Sequence, residues 1–310
     1  MKDETRNANK SHWAHVFSAA NVAHKTIEPG SHYKTLPGWF PSSKCVRGQL
    51  RTREPLMRDF LFHLDTDPAV TAIAEFPERV AFENVDRRGR KRSYEHVPDL
   101  AALTSPGAVF VFDIVPFYVQ QDLRWLPART AILKEHYAAK QAHYHLLDER
   151  TIHLRPLFDN LVDMWKQKPV AGQHPDIDLI ARQILARPLP LRIGDLMRCV
   201  TPNAMFGQWE GDAGATMIGE VNPVYTAVMQ LAMAGKVEID LRRRFSQFTL
   251  VGFPGQTEVM NTPAAGGLKR KEATCTTVGS EQSTSWTSRH SRAIDATRCK
   301  ATTSERGRPT

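Results

Sequence analysis

The run GAVFVFDIVPF, residues 107–117, constrains this chain more than any other stretch. Its continuous apolar content predicts a strand buried on both faces. One residue breaks the pattern. Asp113 is a charge in the middle of the run, and burying it is costly unless it is paired, hydrogen-bonded or metal-bound. Upstream, YEHVPDL, residues 94–100, closes a second strand-like run on Asp99. Two carboxylates are thus aimed at what reads as one place. With 310 residues, 41% of them hydrophobic, the chain can build one large domain or two modest ones.

The elements around the run follow from periodicity and punctuation. Residues 1–37 read as an irregular N-terminal arm, and the turn-rich composition continues through GWFPSSKCVRG. In EPLMRDFLFHL, Leu56, Phe60, Leu61 and Leu64 share a helical face, with Pro55 in the first turn. RVAFENV and SYEHVPDL flank a basic turn and predict a β-hairpin, with Arg87, Arg88, Arg90, Lys91 and Arg92 at its tip. Those side chains suit phosphate contact or plain solvation equally. RTAILKEHYAAKQAHYHLLDE predicts a helix and then a strand. RPLFDNLVDMWK predicts a helix with Leu157, Leu161 and Trp165 on one stripe. The Pro/Gly/polar segment 167–178 reads as a linker closing a first domain, residues 38–168.

A second domain is expected over residues 177–252. In NPVYTAVMQLAMAG, Asn222 suits the N-cap, Pro223 the first turn and Gly235 the position beyond the end. KVEIDL, RRRFS and QFTLV follow as strand, basic turn and strand. Helices followed by a two-stranded wing with Arg242, Arg243 and Arg244 at its tip predict a winged helix. A small α+β packing module is the alternative. Residues 253–310 are rich in Ser, Thr, Gly, Lys and Arg and are expected to be a disordered basic tail.

Charge and cysteine usage narrow the setting. The formal charge of +8 favours polyanionic partners such as DNA. No apolar run reaches the roughly 20 residues of a membrane span, and the polar start MKDETRNANKSHW carries no signal-peptide core, so no membrane is expected. Cys45, Cys199, Cys275 and Cys299 are widely spaced and form no CxxC, which predicts reduced thiols in a cytoplasm. His136, His143 and His145, with Glu135, read as surface or half-buried side chains. Trp39, Phe40, Phe60 and Phe62 read as core.

Taken in order, FPSSKCVRG, RDFLFHLDTDPAV, FPERVAF, YEHVPDL, FDIVP, HLLDERTIHLRPLFDNL, LRIGDLMR and AGKVEIDL resemble the TnsA family of transposon-end endonucleases, over roughly residues 38–250. The resemblance implies a restriction-endonuclease-like PD-(D/E)xK core, of mixed α+β and α/β character, followed by a winged helix. It implies Mg²⁺-dependent cutting of the 5′, non-transferred strands beside a DDE transposase subunit and an AAA+ ATPase regulator. The family's first metal-binding aspartate falls on Asp99 and its second ligand on Asp113. Its lysine falls on Val115 and its helix glutamate on Met57. Glu54 is a possible stand-in for that glutamate, and Lys134 or Lys140 for the lysine. Without a lysine at 115 the expected protein is a transposition accessory subunit, binding end DNA and its partners with nuclease activity weakened or lost. An active Mg²⁺-dependent endonuclease with a rearranged site, and a winged-helix regulator, are the alternatives.

Overall fold

The computed structural model describes residues 2–25, 27, 36–85, 90–170, 173, 175–200, 209–210, 216–217 and 222–256. Arg87, Arg88, Cys275, Cys299 and the tail beyond residue 256 lie outside them. In chain order the elements are α1 (Lys2–Val16), β1 (Gly38–Pro41), β2 (Gln49–Thr52), α2 (Pro55–Thr66), β3 (Val70–Glu75), β4 (Val80–Val85), β5 (Lys91–His96), β6 (Leu100–Thr104), β7 (Val109–Ile114), α3 (Phe117–Asp122), α4 (Leu126–Ala139), β8 (Ala142–Leu147), α5 (Glu149–Ile152) and α6 (Leu157–Lys166). Then follow α7 (Ile177–Leu185), β9 (Leu191–Arg192), α8 (Ile193–Cys199), β10 (Trp209–Glu210), β11 (Thr216–Met217), α9 (Pro223–Met233), β12 (Glu238–Ile239) and β13 (Leu250–Gly252).

The central sheet is mixed, in the order β3-β6-β7-β8. β3 and β7 both run antiparallel to β6, which lies between them, and β8 runs parallel to β7. All six residues of β7 are buried, as its continuous apolar run requires. Its side chains alternate between two cores. Phe110, Phe112 and Ile114 join Leu100 and Ala102 against Met57, Phe60, Leu61 and Leu64 of α2, with the Phe60 and Phe112 rings 4.8 Å apart edge to face. Val109 and Val111 join Ala101 on the opposite face, under Leu133 and Tyr137 of α4.

Residues 1–37 are not irregular throughout. Lys2–Val16 form α1, whose Trp13 and Val16 pack into the α4 core and whose Trp13 indole donates to Lys140 O at 3.0 Å. Two apolar anchors in a polar helix are too few to show as an amphipathic pattern. The expected hairpin forms, pairing β4 with β5, but as its own two-stranded sheet. The YEHVPDL run is divided: β5 ends at His96 and β6 begins at Leu100. Asp99 therefore opens a central strand rather than closing the hairpin. Trp39, read as core, is 62% exposed, whereas Phe40 and Phe60 are buried.

In the C-terminal region β9 and β12 both pair antiparallel with β13, and α7, α8 and α9 enclose one apolar cluster. Asn222 caps α9 by accepting from Val224 N and Tyr225 N, and Gly235 takes a positive φ of 69° beyond its end. Helix α6 serves both halves. Its Leu161 and Met164 belong to this cluster, while Trp165 packs against the α2 core. Among the described residues, no helix is long and apolar enough to cross a membrane.

Asn160 of α6 is fully buried. Its amide donates to Leu241 O at 3.0 Å and Arg243 O at 2.7 Å and accepts from Phe245 N at 3.1 Å. One side chain thus fixes the loop that carries Arg242, Arg243 and Arg244. Asn160→Ala strands two carbonyls and one N–H, so a loss of at least about 3 kcal/mol is expected, from a cost of about 1–3 kcal/mol for each buried group left unpaired. Denaturant titration reads the loss. Hydrogen exchange at residues 241–245 checks its origin: unchanged protection there refutes the clamp.

Candidate functional site

The β6/β7 register pairs Leu100 with Phe112, so Asp99 and Asp113 fall opposite each other one step further along. Strand alternation puts them on the α4 side of the sheet, with Ala101 and Val111. Both line one pocket of about 540 Å³, together with Lys25, Arg53, His96, Val115 and Arg129. The sequence-based convergence of residues 99 and 113 is present in the fold.

Each carboxylate is already engaged. Arg53, between β2 and α2, grips Asp99 with a two-pronged pair: Nε to Oδ1 at 2.6 Å and Nη2 to Oδ2 at 2.9 Å. Ile114 N also donates to Oδ2, at 2.8 Å, and Arg53 donates to Ile114 O. Burial opposes the Arg53 charge, but the hydrogen bonds and charge of Asp99 outweigh it and hold the guanidinium protonated. Asp113 Oδ2 meets His96 Nε2 at 2.6 Å and Arg129 Nη2 at 3.2 Å, and accepts from the Tyr144 hydroxyl. Burial would raise the Asp113 pKa. The His96 hydrogen bond and charge, then Arg129 and Tyr144, outweigh it and hold the carboxyl below its usual range. Burial and Asp113 together push the Tyr144 phenol up.

The other expected site residues are placed apart. Met57 lies in the α2 core, fully buried among apolar side chains, and brings no carboxylate to the pocket. Glu54 sits at the N-cap of α2 without capping it. Its Oε1 lies 2.8 Å from Arg53 Nη1, and burial raises its pKa against the pull of Arg53. Lys134 is exposed on α4, and Lys140 pairs with Glu78 at 2.6 Å; neither lines the pocket. The amine that does is Lys25. The segment carrying it is stitched to the sheet at Phe76, which accepts from His24 N and donates to Asp99 O, both at 3.0 Å. Phe76 adopts a positive φ of 45°, uncommon for a bulky residue. Of the basic hairpin tip, Arg90, Lys91 and Arg92 are described and exposed, and Lys91 Nζ lies 4.0 Å from Glu83.

A divalent cation needs carboxylate oxygens free to coordinate it. Both oxygens of Asp99 and one of Asp113 are held by guanidinium, imidazole, phenol or amide donors; the pocket's other acid, Glu95, pairs with Arg79 at 2.7 Å, and Glu54, outside its wall, faces Arg53. The residues as arranged do not fit Mg²⁺. Among the described residues, no group of three or more His, Cys, Asp or Glu is placed to hold a metal ion.

The surfaces expected to meet DNA divide in the same way. Helix α9 carries no charged residue and no exposed one between Pro223 and Met233. It is the centre of the C-terminal cluster. Arg242, Arg243 and Arg244 are exposed on the Asn160-held loop, with Arg243 and Arg244 at 3.9 and 3.6 Å from Asp240 and Asp159.

Fold and site define a mixed α/β protein with a pocket of paired charges at one end of a mixed sheet. No protein-family model matches the chain, and no curated protein matches it significantly. Sequence reasoning found the two aspartates and missed Lys25, Arg53, His96, Arg129 and Tyr144. The one available signal was the cost of burying Asp113, which demands partners without naming them.

Proposed function

We propose that this chain is a TnsA-type DNA-transposition accessory subunit whose nuclease centre has become a salt-bridged pocket. The observation that carries the reading is that Asp99 and Asp113 share one pocket beside Val115 while each is bound by an arginine. The order α2-β3-β6-β7-α4-β8, three antiparallel strands and a fourth parallel to the third, supports descent from a restriction-endonuclease-like core. The order α7-β9-α8-α9-β12-β13, with β9 and β12 flanking β13, supports a winged-helix relative.

In this reading the protein contributes binding rather than cutting. A lysine aimed at a developing oxyanion is worth about 10²–10³ in rate, by analogy with one oxyanion-hole donor, and Val115 supplies none of it. The arginine-bound carboxylates leave no vacant metal site, so the rearranged Mg²⁺ endonuclease is the weaker alternative. With α9 buried, the loop of Arg242, Arg243 and Arg244 takes the DNA backbone and delivers affinity without base readout.

Anisotropy of a labelled transposon-end duplex against salt tests this. The wild-type protein is expected to bind. Replacing the three arginines by alanine should weaken all duplexes alike and reduce the log–log salt slope by up to about 3, near one per phosphate contact. The partner arm is a pull-down with the DDE transposase and AAA+ ATPase of the same locus. Absence of duplex binding together with capture of neither partner overturns the proposal; Mg²⁺-dependent cleavage abolished by Asp99→Ala moves it to the active endonuclease.

A further inference from the structure

We propose that the pocket is a metal-independent site for a phosphate group, with Lys25 as its principal ligand-binding side chain. The charge balance points there first. The three carboxylates in its wall, Glu95, Asp99 and Asp113, are each matched by an arginine, namely Arg79 at 2.7 Å, Arg53 at 2.6 Å and Arg129 at 3.2 Å. Lys25 forms no ion pair of its own among the described residues; its ammonium stands 5.6 Å from the centroid of the Phe76 ring. Within the wall itself four cations, Lys25, Arg53, Arg79 and Arg129, face three carboxylates, while Glu54 beyond it also pairs with Arg53 at 2.8 Å.

Two further observations make this cation a binding group rather than a solvated one. Burial lowers the Lys25 pKa, with Arg53 adding to the effect, although Asp99, Asp113 and Glu54 pull the other way. A desolvated ammonium gains most from an anion brought against it. In the same wall Arg129 Nε is buried without a hydrogen-bond acceptor among the described residues, which costs stability. A wall of donors in which both Asp99 oxygens and one Asp113 oxygen are already engaged suits an oxyanion better than a cation. The volume, about 540 Å³, lies within the range of about 300–1,000 Å³ usual for small-molecule sites, so a phosphate with an attached sugar fits. Two sources share this chemistry: the terminal phosphate of a DNA strand and a free phosphate ester.

Calorimetric titration of the full-length protein separates them. Inorganic phosphate is expected to bind with one site per chain. A 5′-phosphorylated oligonucleotide should bind at least about tenfold more tightly than its 5′-hydroxyl twin if the source is DNA, about 1.4 kcal/mol; equal binding of the twins, with phosphate still bound, assigns a free phosphate ester. Lys25→Met, folded by circular dichroism, should lose at least tenfold in phosphate affinity, Lys25→Arg should recover part of it, and Lys134→Met should match the wild type. No heat with phosphate, or equal affinity in Lys25→Met, overturns the site. The DNA source rests on the function proposed above, but the outcomes are separable. End-duplex binding that survives without phosphate binding sinks the pocket alone, and phosphate binding without duplex binding sinks the DNA reading alone.

Discussion

Asp99→Asn is expected to destabilise the folded protein by about 3–5 kcal/mol, the usual cost of removing one partner from a buried ion pair. Asp99 is 3% exposed and accepts from Arg53 twice and from Ile114 N once. An amide keeps one oxygen but turns an NH₂ donor toward other donors, and leaves the Arg53 guanidinium without its counter-charge. Denaturant titration reads the effect. Its sign separates two views of the same aspartates. Carboxylates kept together to bind a metal repel one another without it, so neutralising one raises metal-free stability. An arginine-bound carboxylate does the reverse. Stability unchanged or raised in Asp99→Asn therefore refutes the ion-paired pocket. Replacing the pair together, with Arg53→Met and Asp99→Leu, should recover only part of the loss, because it removes both charges' desolvation costs but leaves Ile114 N, Ile114 O and Glu54 without these partners. The coupling from the four proteins measures the pair itself.

What the sequence disclosed and what it withheld divide along one physical line. Features set by local pattern were legible. The apolar run of β7, the α2 stripe and the Asn222 and Gly235 caps of α9 each act within a few residues, and each appears where expected. Features made by distant pairing were not. Arg53 and Asp99 are 46 residues apart, Arg129 and Asp113 are 16 apart, and Asn160 reaches a loop 81–85 residues on. No spacing rule joins such residues before the chain is folded. Met57 illustrates the limit: the sequence shows that it brings no carboxylate, but only packing shows that its side chain faces the α2 core. Sequence proximity points to lysines on the next helix. The fold brings Lys25 into the pocket on a segment whose His24 N donates to Phe76 O.

Asp113 makes the second large prediction, in acid. Its folded pKa lies below the ordinary carboxylate value because His96, Arg129 and Tyr144 together outweigh the effect of burial. The stability it contributes is therefore present above the unfolded pKa, near about 3.9, and is lost as pH falls through the lower folded value. Asp113→Asn should cost about 3–5 kcal/mol at pH 7, since it strands Arg129 in a buried site. The gap from wild type should persist to about pH 4 and close below it, as the wild-type carboxyl takes up its proton. Guanidinium unfolding midpoints for both proteins between pH 7 and pH 3 measure that difference directly. Tyr144→Phe adds a check on the cause. It removes one donor to the carboxylate, so the wild-type acid transition should move to higher pH with the fold retained. A gap that widens on acidification, or keeps one size throughout, would mean that Asp113 is not held ionised by these neighbours, and the charge-matched pocket would lose half its basis.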